Sequence, residues 1–211
     1  HVPIMILIEL KDDRIPALPT LPTRFDESNI ESVDKEIDSV FPLEEILTPD
    51  DVRADDSSLR ESILKKGWPK LNEARGKVLF ALDNEGRIRD NYLKNHETLQ
   101  NRRMFVTPPH ENHVSAAFFK INDPIRDFEK IQRLVGSGFL VRTRADADTR
   151  QSRSGETSQR DRAFASGAQF VSTDYPEPRP EFSDYQVRHP NHAVALPNPV
   201  SAAAYTRKEL E

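Results

Sequence analysis

The sequence predicts an α/β fold built on a parallel sheet, of the kind that closes into a (β/α)8 barrel, and three observations carry that prediction. Two β-rich runs, Phe139 to Thr143 and Gln169 to Thr173, bracket a polar segment that can be helical only in its second half, from about Thr157 to Ala165. Two continuously apolar runs, PIMILIEL from Pro3 and KVLFALD from Lys77, have the composition of strands buried on both faces of a parallel sheet. Strands starting near residues 4, 78, 103, 116, 139 and 169 are mostly separated by helices, which makes six strands of a barrel and leaves two wanting.

Composition bounds the function. At 211 residues the chain can bury one good core, and residues 1–200 are read as part of a single domain with a tail at 201–211. The formal charge of −5 and the absence of a basic, aromatic-interleaved patch argue against a nucleic-acid partner. Cysteine is absent, which excludes disulfide frameworks and thiolate metal sites. No apolar run approaches the ~20 residues that span a bilayer, and no basic segment precedes an apolar signal core. His1 opens almost directly into a strand, so the expectation is a barrel whose first strands lie upstream of this chain.

Taken in order, the first strand ends in IELKDD, which places Glu9 and Lys11 two residues apart on one face where the apolar run gives out. A carboxylate there can ligate a hard cation, and a lysine can hold an anionic oxygen. At this point the two could equally mark the strand's exit into water. A long excursion follows, residues 14–77. Pro16, Pro19 and Pro22 favour an extended polyproline-like segment, and Asp26 or Ser28 can cap a helix with Ile30, Val33, Ile37 and Phe41 at helical spacing. A turn at Thr48 to Asp51 leads to a second helix over Ser57 to Lys65, and Trp68 is read as a packing residue.

The strand Lys77 to Asp83 ends in a carboxylate and the turn Asn84-Glu85-Gly86. A helix over Ile88 to Leu99, a short strand at Arg103 to Thr107 and a loop carrying His110, Glu111 and His113 come next. Those three lack the i, i+4 spacing of a helical zinc motif and are read as a solvated loop. A strand at Ala116 to Lys120 precedes a helix from Asp123 to Val135 with Ile125, Phe128, Ile131 and Leu134 or Val135 inward. Arg142 and Arg144 then point the same way at the end of the fifth strand, as do Ser172 and Asp174 at the end of the sixth. Parallel α/β folds bind ligands at strand carboxyl ends, and two arginines there suit a phosphate, with surface ion pairs the plainer alternative. Beyond Pro176 the chain is proline-rich and irregular, expected to wrap a barrel rim, with Ser201 to Glu211 a short helix or a frayed end.

The ordered set IELKDD, LFALD, VRTRADADTR, GAQFVSTDYP and NPV resembles the calcium-dependent phosphatidylinositol-specific phospholipase C-like proteins of actinomycete type. VRTRADADT paired with STDYP is the specific part; ELK and TDYP alone are similar to what glycerophosphodiester phosphodiesterases carry. The resemblance implies a (β/α)8 barrel and a phosphodiesterase that uses the neighbouring inositol hydroxyl as nucleophile, two histidines and one Ca2+. It implies Glu9 as a calcium ligand, Lys11 as a phosphate contact, and Asp83, Arg142, Arg144 and Asp174 lining the substrate side of the same mouth. The family's two histidines belong to the first two strands, so no histidine of this chain inherits their role, and the expectation is that activity belongs to a longer parent and that this chain alone is inactive. A phosphoinositide substrate, transient membrane-surface contact, a monomer and an extracytoplasmic or secreted location are further expectations from the resemblance. A glycerophosphodiester phosphodiesterase-like hydrolase, or a non-catalytic binding module on the same scaffold, are the alternatives. An apolar sheet edge beside Pro3 to Leu10 should be exposed.

Overall fold

Short strands and short helices follow one another along the chain in the computed structural model, which describes residues 2–201. In one sheet β1 (Ile4–Ile8) pairs in parallel with β2 (Val78–Leu82), and β2 with β3 (Met104–Val106), so that Ile8, Leu82 and Val106 stand in one row. A second sheet has the order β4 (Phe118–Lys120), β5 (Leu140–Arg144), β6 (Phe170–Ser172), with β5 and β6 parallel and Arg144 opposite Ser172. The parallel α/β class is as expected. The six strands nevertheless form two three-stranded sheets, and no barrel closure is found among the described residues. The chain divides into two compact units, His1–Phe118 and Phe119–Glu211.

In the first unit, β2 has neighbours on both sides and buries Leu79 to Leu82 completely, as a central parallel strand should. β1 does not match its expected double burial: it is the sheet's edge, its residues are half-buried, and Ile4 is 52% exposed. The expected apolar edge beside Pro3 to Leu10 is therefore present.

The excursion between β1 and β2 folds into α1 (Ser32–Val40), α2 (Pro49–Arg53), α3 (Leu59–Lys65) and α4 (Leu71–Ala74). α1 starts later than Asp26 or Ser28 because the Asp26 carboxylate accepts from the Ser28 amide and hydroxyl and so builds a local turn instead of a cap. The predicted turn at Thr48 becomes α2, started by a capping box in which the Thr48 hydroxyl and the Asp51 carboxylate each bond the other's backbone, with Pro49 at the first helical position. Ser58 caps α3, and Trp68 packs on Phe105 with ring centroids 5.2 Å apart.

α5 (Arg87–Leu93) stops short of Leu99, since Asn95 and Leu99 take left-handed φ values of 62° and 57° that end a helix. Its Tyr92 is fully buried. The hydroxyl donates to Asp34 Oδ1 at 2.6 Å and accepts from the Met104 amide at 3.0 Å, which joins α1, α5 and β3.

In the second unit α6 (Phe128–Gly136) buries Ile131, Leu134 and Val135. It begins after Asp123 because that carboxylate accepts from the Ile125 and Arg126 amides in a turn, which leaves Ile125 exposed rather than inward. α7 (Arg150–Ser154) occupies the half of the β5–β6 connection that was expected to be non-helical. Two features support it: Gly155 closes it at φ 71°, and the buried Gln151 side chain holds the Ala147 amide and Gln159. α8 (Ser158–Ala165) follows as expected. The irregular segment after Pro176 packs Tyr185 and Val187 with Ala145. The tail expected from 201 lies, beyond Ser201, outside the described residues. Among the described residues no helix is long and apolar enough to cross a membrane.

Candidate functional site

Parallel pairing in register brings the carboxyl ends of β1, β2 and β3 side by side, so Glu9 and Asp83 are the first residues past neighbouring strands. The Asp83 amide donates to the Ile8 carbonyl at 2.8 Å and extends the ladder by one residue. Asn84 then does what a peptide group would: its amide oxygen accepts from the Leu10 N–H at 2.8 Å and its NH2 donates to the Leu10 carbonyl at 2.9 Å. This pins the residue between Glu9 and Lys11. The two charged side chains share a face and meet at 3.1 Å, with 52% and 77% of their side-chain surfaces exposed. A pair that open to water contributes little stability, so either partner can be exchanged for a ligand at small cost.

In the second unit Arg142 and Arg144 share the face of β5 opposite the buried Val141 and Thr143. Arg142 donates to Asn122 Oδ1 at 2.6 Å. The Arg144 guanidinium makes no ion pair among the described residues, and the exposed Asp174 lies just past Ser172, its strand partner. Behind them Asp146 is 1% exposed and accepts from three donors: the Thr173 hydroxyl, the Asp174 amide at 3.0 Å and the Tyr185 hydroxyl at 3.2 Å. Burial first, and then the Asp146 charge, raise the Tyr185 pKa, which keeps that hydroxyl a donor.

Of the predicted residues, Glu9, Lys11 and Asp83 lie just past strand ends in the first unit; in the second, Arg144 ends β5, Arg142 stands two residues earlier on the same face, and Asp174 lies two residues past β6. The residues that the sequence reading missed are Asn84, taken only for a turn residue, and the pair Asp146 and Tyr185. A side chain that imitates a peptide group shows itself only once register is known, because Asn84 and Leu10 are 74 positions apart.

Among the described residues, no histidine joins the Glu9 or Asp174 carboxylates in a three-residue cluster. His110 and His113 form an edge-to-face ring pair 5.4 Å apart in the loop after β3. The Ser115 amide donates to His113 Nδ1, and burial holds the His113 pKa below the usual imidazole value. Among the described residues no three His, Asp or Glu side chains gather closely enough to hold a metal. Calcium takes six to eight oxygen ligands. Glu9 suits it as one hard donor, and the described residues do not complete a cage around it.

The family model for Ca2+-dependent phosphoinositide phospholipase C matches residues 1–199. A Ca2+-dependent phosphatidylinositol-specific phospholipase C from Streptomyces antibioticus has a similar structure, with TM-score 0.55 at 15% identity, covering 82% of this chain and 64% of that one. The calcium-dependent phosphoinositol-specific phospholipase C of a Gram-negative Pseudomonas species, in a myoinositol complex, gives TM-score 0.50 at 16% identity, covering 68% and 51%. The chain spans less than two thirds of the length of either enzyme, and at these identities the likeness is one of fold. No curated protein matches it.

Proposed function

Since this chain belongs to the Ca2+-dependent phosphoinositide phospholipase C family, we propose that it serves calcium-dependent cleavage of a phosphoinositide or related phosphodiester. The match over residues 1–199 carries the proposal. The strand-exit residues support it through their chemistry.

Cleavage by the neighbouring inositol hydroxyl forms a new O–P bond and breaks the O–P bond to the diacylglycerol. The hydroxyl proton leaves to a base, and the departing alkoxide receives one from an acid. Further negative charge builds on the non-bridging oxygens as the hydroxyl attacks, so cationic donors aimed at them lower the barrier. Lys11 supplies a point charge, and Arg144, with Arg142 beside it, supplies a planar fork that can hold two oxygens. Asp83 and Asp174 are acceptors suited to sugar hydroxyls. Glu9 offers a hard carboxylate oxygen to Ca2+, and the ion, when bound, neutralises phosphate charge. No histidine of this chain is assigned as acid or base. A (β/α)8 architecture, a monomer, an extracytoplasmic location and transient contact with a membrane surface belong to the same reading.

A second reading is phosphodiester binding without turnover, which the lack of a three-ligand acidic or histidine cluster among the described residues favours. One assay separates the two. In phosphorus NMR of phosphatidylinositol micelles incubated with protein and calcium, a cyclic inositol phosphate that excess chelator abolishes would select turnover. Retention of myo-inositol 1-phosphate without product would select the binding reading, and neither result would overturn both.

A further inference from the structure

Immediately after the Glu9–Lys11 pair the chain makes a loop closed at its base. The Asp12 carboxylate, with its side chain 2% exposed, accepts from the Phe25 amide at 2.8 Å, and Arg87 Nη2 lies 2.7 Å from both of its oxygens. Arg87 Nη1 also donates to the Phe25 carbonyl at 2.8 Å, and Asn91 reaches the same oxygen at 3.2 Å. Residues 13–24 are therefore held at both ends by α5.

What this loop presents to water is unusual for a loop. Residues 15–23, IPALPTLPT, carry no charge in a chain in which 31% of residues are charged. Ile15, Leu18 and Leu21 are 58%, 50% and 69% exposed. The expected extended polyproline-like run is interrupted by a turn in which the Leu18 amide donates to the Ile15 carbonyl at 3.0 Å, so these two exposed residues stand at the two ends of one tight turn. Prolines 16, 19 and 22 limit the freedom that insertion would otherwise remove. Exposed arginines, Arg14 and Arg24, flank the apolar stretch. The arginines have exposed acidic neighbours, Asp13 and Asp26, so the flanks are close to neutral, and it is the uncharged apolar tip that suits a bilayer interface, where apolar side chains enter and flanking cations meet head-group phosphates.

We propose that residues 13–24 are a bilayer-docking loop, with Ile15, Leu18 and Leu21 entering the lipid interface next to the Glu9–Lys11 exit of β1. The choice of a lipid surface as occupant rests on the phospholipase reading. The clamp at Asp12 and Arg87 makes the loop a fixture of the same strand end that offers the charged pair, so docking delivers a head group rather than merely adhering.

The test is sedimentation of the full chain with unilamellar vesicles of phosphatidylcholine, with and without phosphatidylinositol. Each of Ile15→Ser, Leu18→Ser and Leu21→Ser should lower partitioning by about tenfold, since each removes an apolar side chain from lipid. Circular dichroism and the melting temperature should not change, because the three side chains are exposed. Leu21→Trp should be quenched by brominated lipid. Vesicle binding equal in the wild type and the triple variant, or no wild-type binding at all, would overturn the proposal. A shift from dimer to monomer on serine substitution would also overturn it, by assigning the patch to a second copy. Binding that depends on the loop but is indifferent to phosphatidylinositol at matched charge would leave docking standing and count against the substrate reading alone.

Discussion

Two aspartates of the first unit respond to acid in opposite directions. Asp34 is buried against Tyr92 and Arg102, and desolvation raises its pKa above the ordinary 3.8 despite the hydrogen bonds that pull the other way. Asp12 sits under Arg87, whose hydrogen bonds, followed by that from the Phe25 amide, lower its pKa. A raised carboxyl contributes stability that is fully present below its unfolded pKa and is lost as pH rises through the folded value; a lowered one contributes above its unfolded pKa and loses that contribution as pH falls through the folded value. Between neutral pH and about 4 the wild type should therefore gain stability relative to Asp34→Asn as pH falls. Asp12 should begin to release residues 13–24 only below the usual carboxylate range. Urea midpoints of both proteins across that interval check the first claim, and a difference that shrinks on acidification would refute it. Tyr92→Phe should cost about 1–3 kcal/mol at neutral pH, because it leaves the Met104 amide and one Asp34 oxygen without their shared partner.

Among the elements, the proposed function rests on the strand exits, and only some of them were readable in the sequence. β2 and β5 announced themselves through apolar runs ending in charge, and Arg142 and Arg144 fell on one face because alternation in a strand leaves no choice. β1 carried the same composition yet lies at an edge, since an apolar run says what a strand could bury and not how many neighbours it acquires. α7 was invisible because RQSRS has no apolar stripe; its support comes from the Gln151 amide and from Gly155, both outside any periodicity. Asn84 was hidden for a related reason, since its partner is a backbone. Asn84→Ala should remove both bonds to Leu10, destabilise the unit by about 1–3 kcal/mol, and speed hydrogen exchange at the Leu10 amide far more than at Leu79 or Phe80 in the central strand. Uniform acceleration along β1 and β2 would mean that Asn84 supports the sheet generally and does not pin the exit.

For the whole molecule the proposed chemistry divides between a metal ligand and anion donors, and the two should fail differently. Glu9→Gln keeps the shape of the side chain and removes a formal charge from a hard oxygen donor, so calcium affinity should fall on the order of tenfold or more. Arg144→Lys keeps the charge and loses the planar fork, so affinity for myo-inositol 1-phosphate should fall roughly tenfold, the scale of one charge-assisted hydrogen bond. Calcium bound beside a phosphate strengthens its binding, and linkage makes that benefit depend on metal occupancy. Raising calcium should therefore restore inositol phosphate binding to Glu9→Gln, where occupancy is what was lost. It should do nothing for Arg144→Lys, where the metal site is intact and the missing contact is to the anion. Calorimetric titrations of the inositol phosphate at two calcium concentrations, with each variant, decide the matter: equal recovery in both, or wild-type binding unchanged by chelator, would remove calcium from the proposed mechanism.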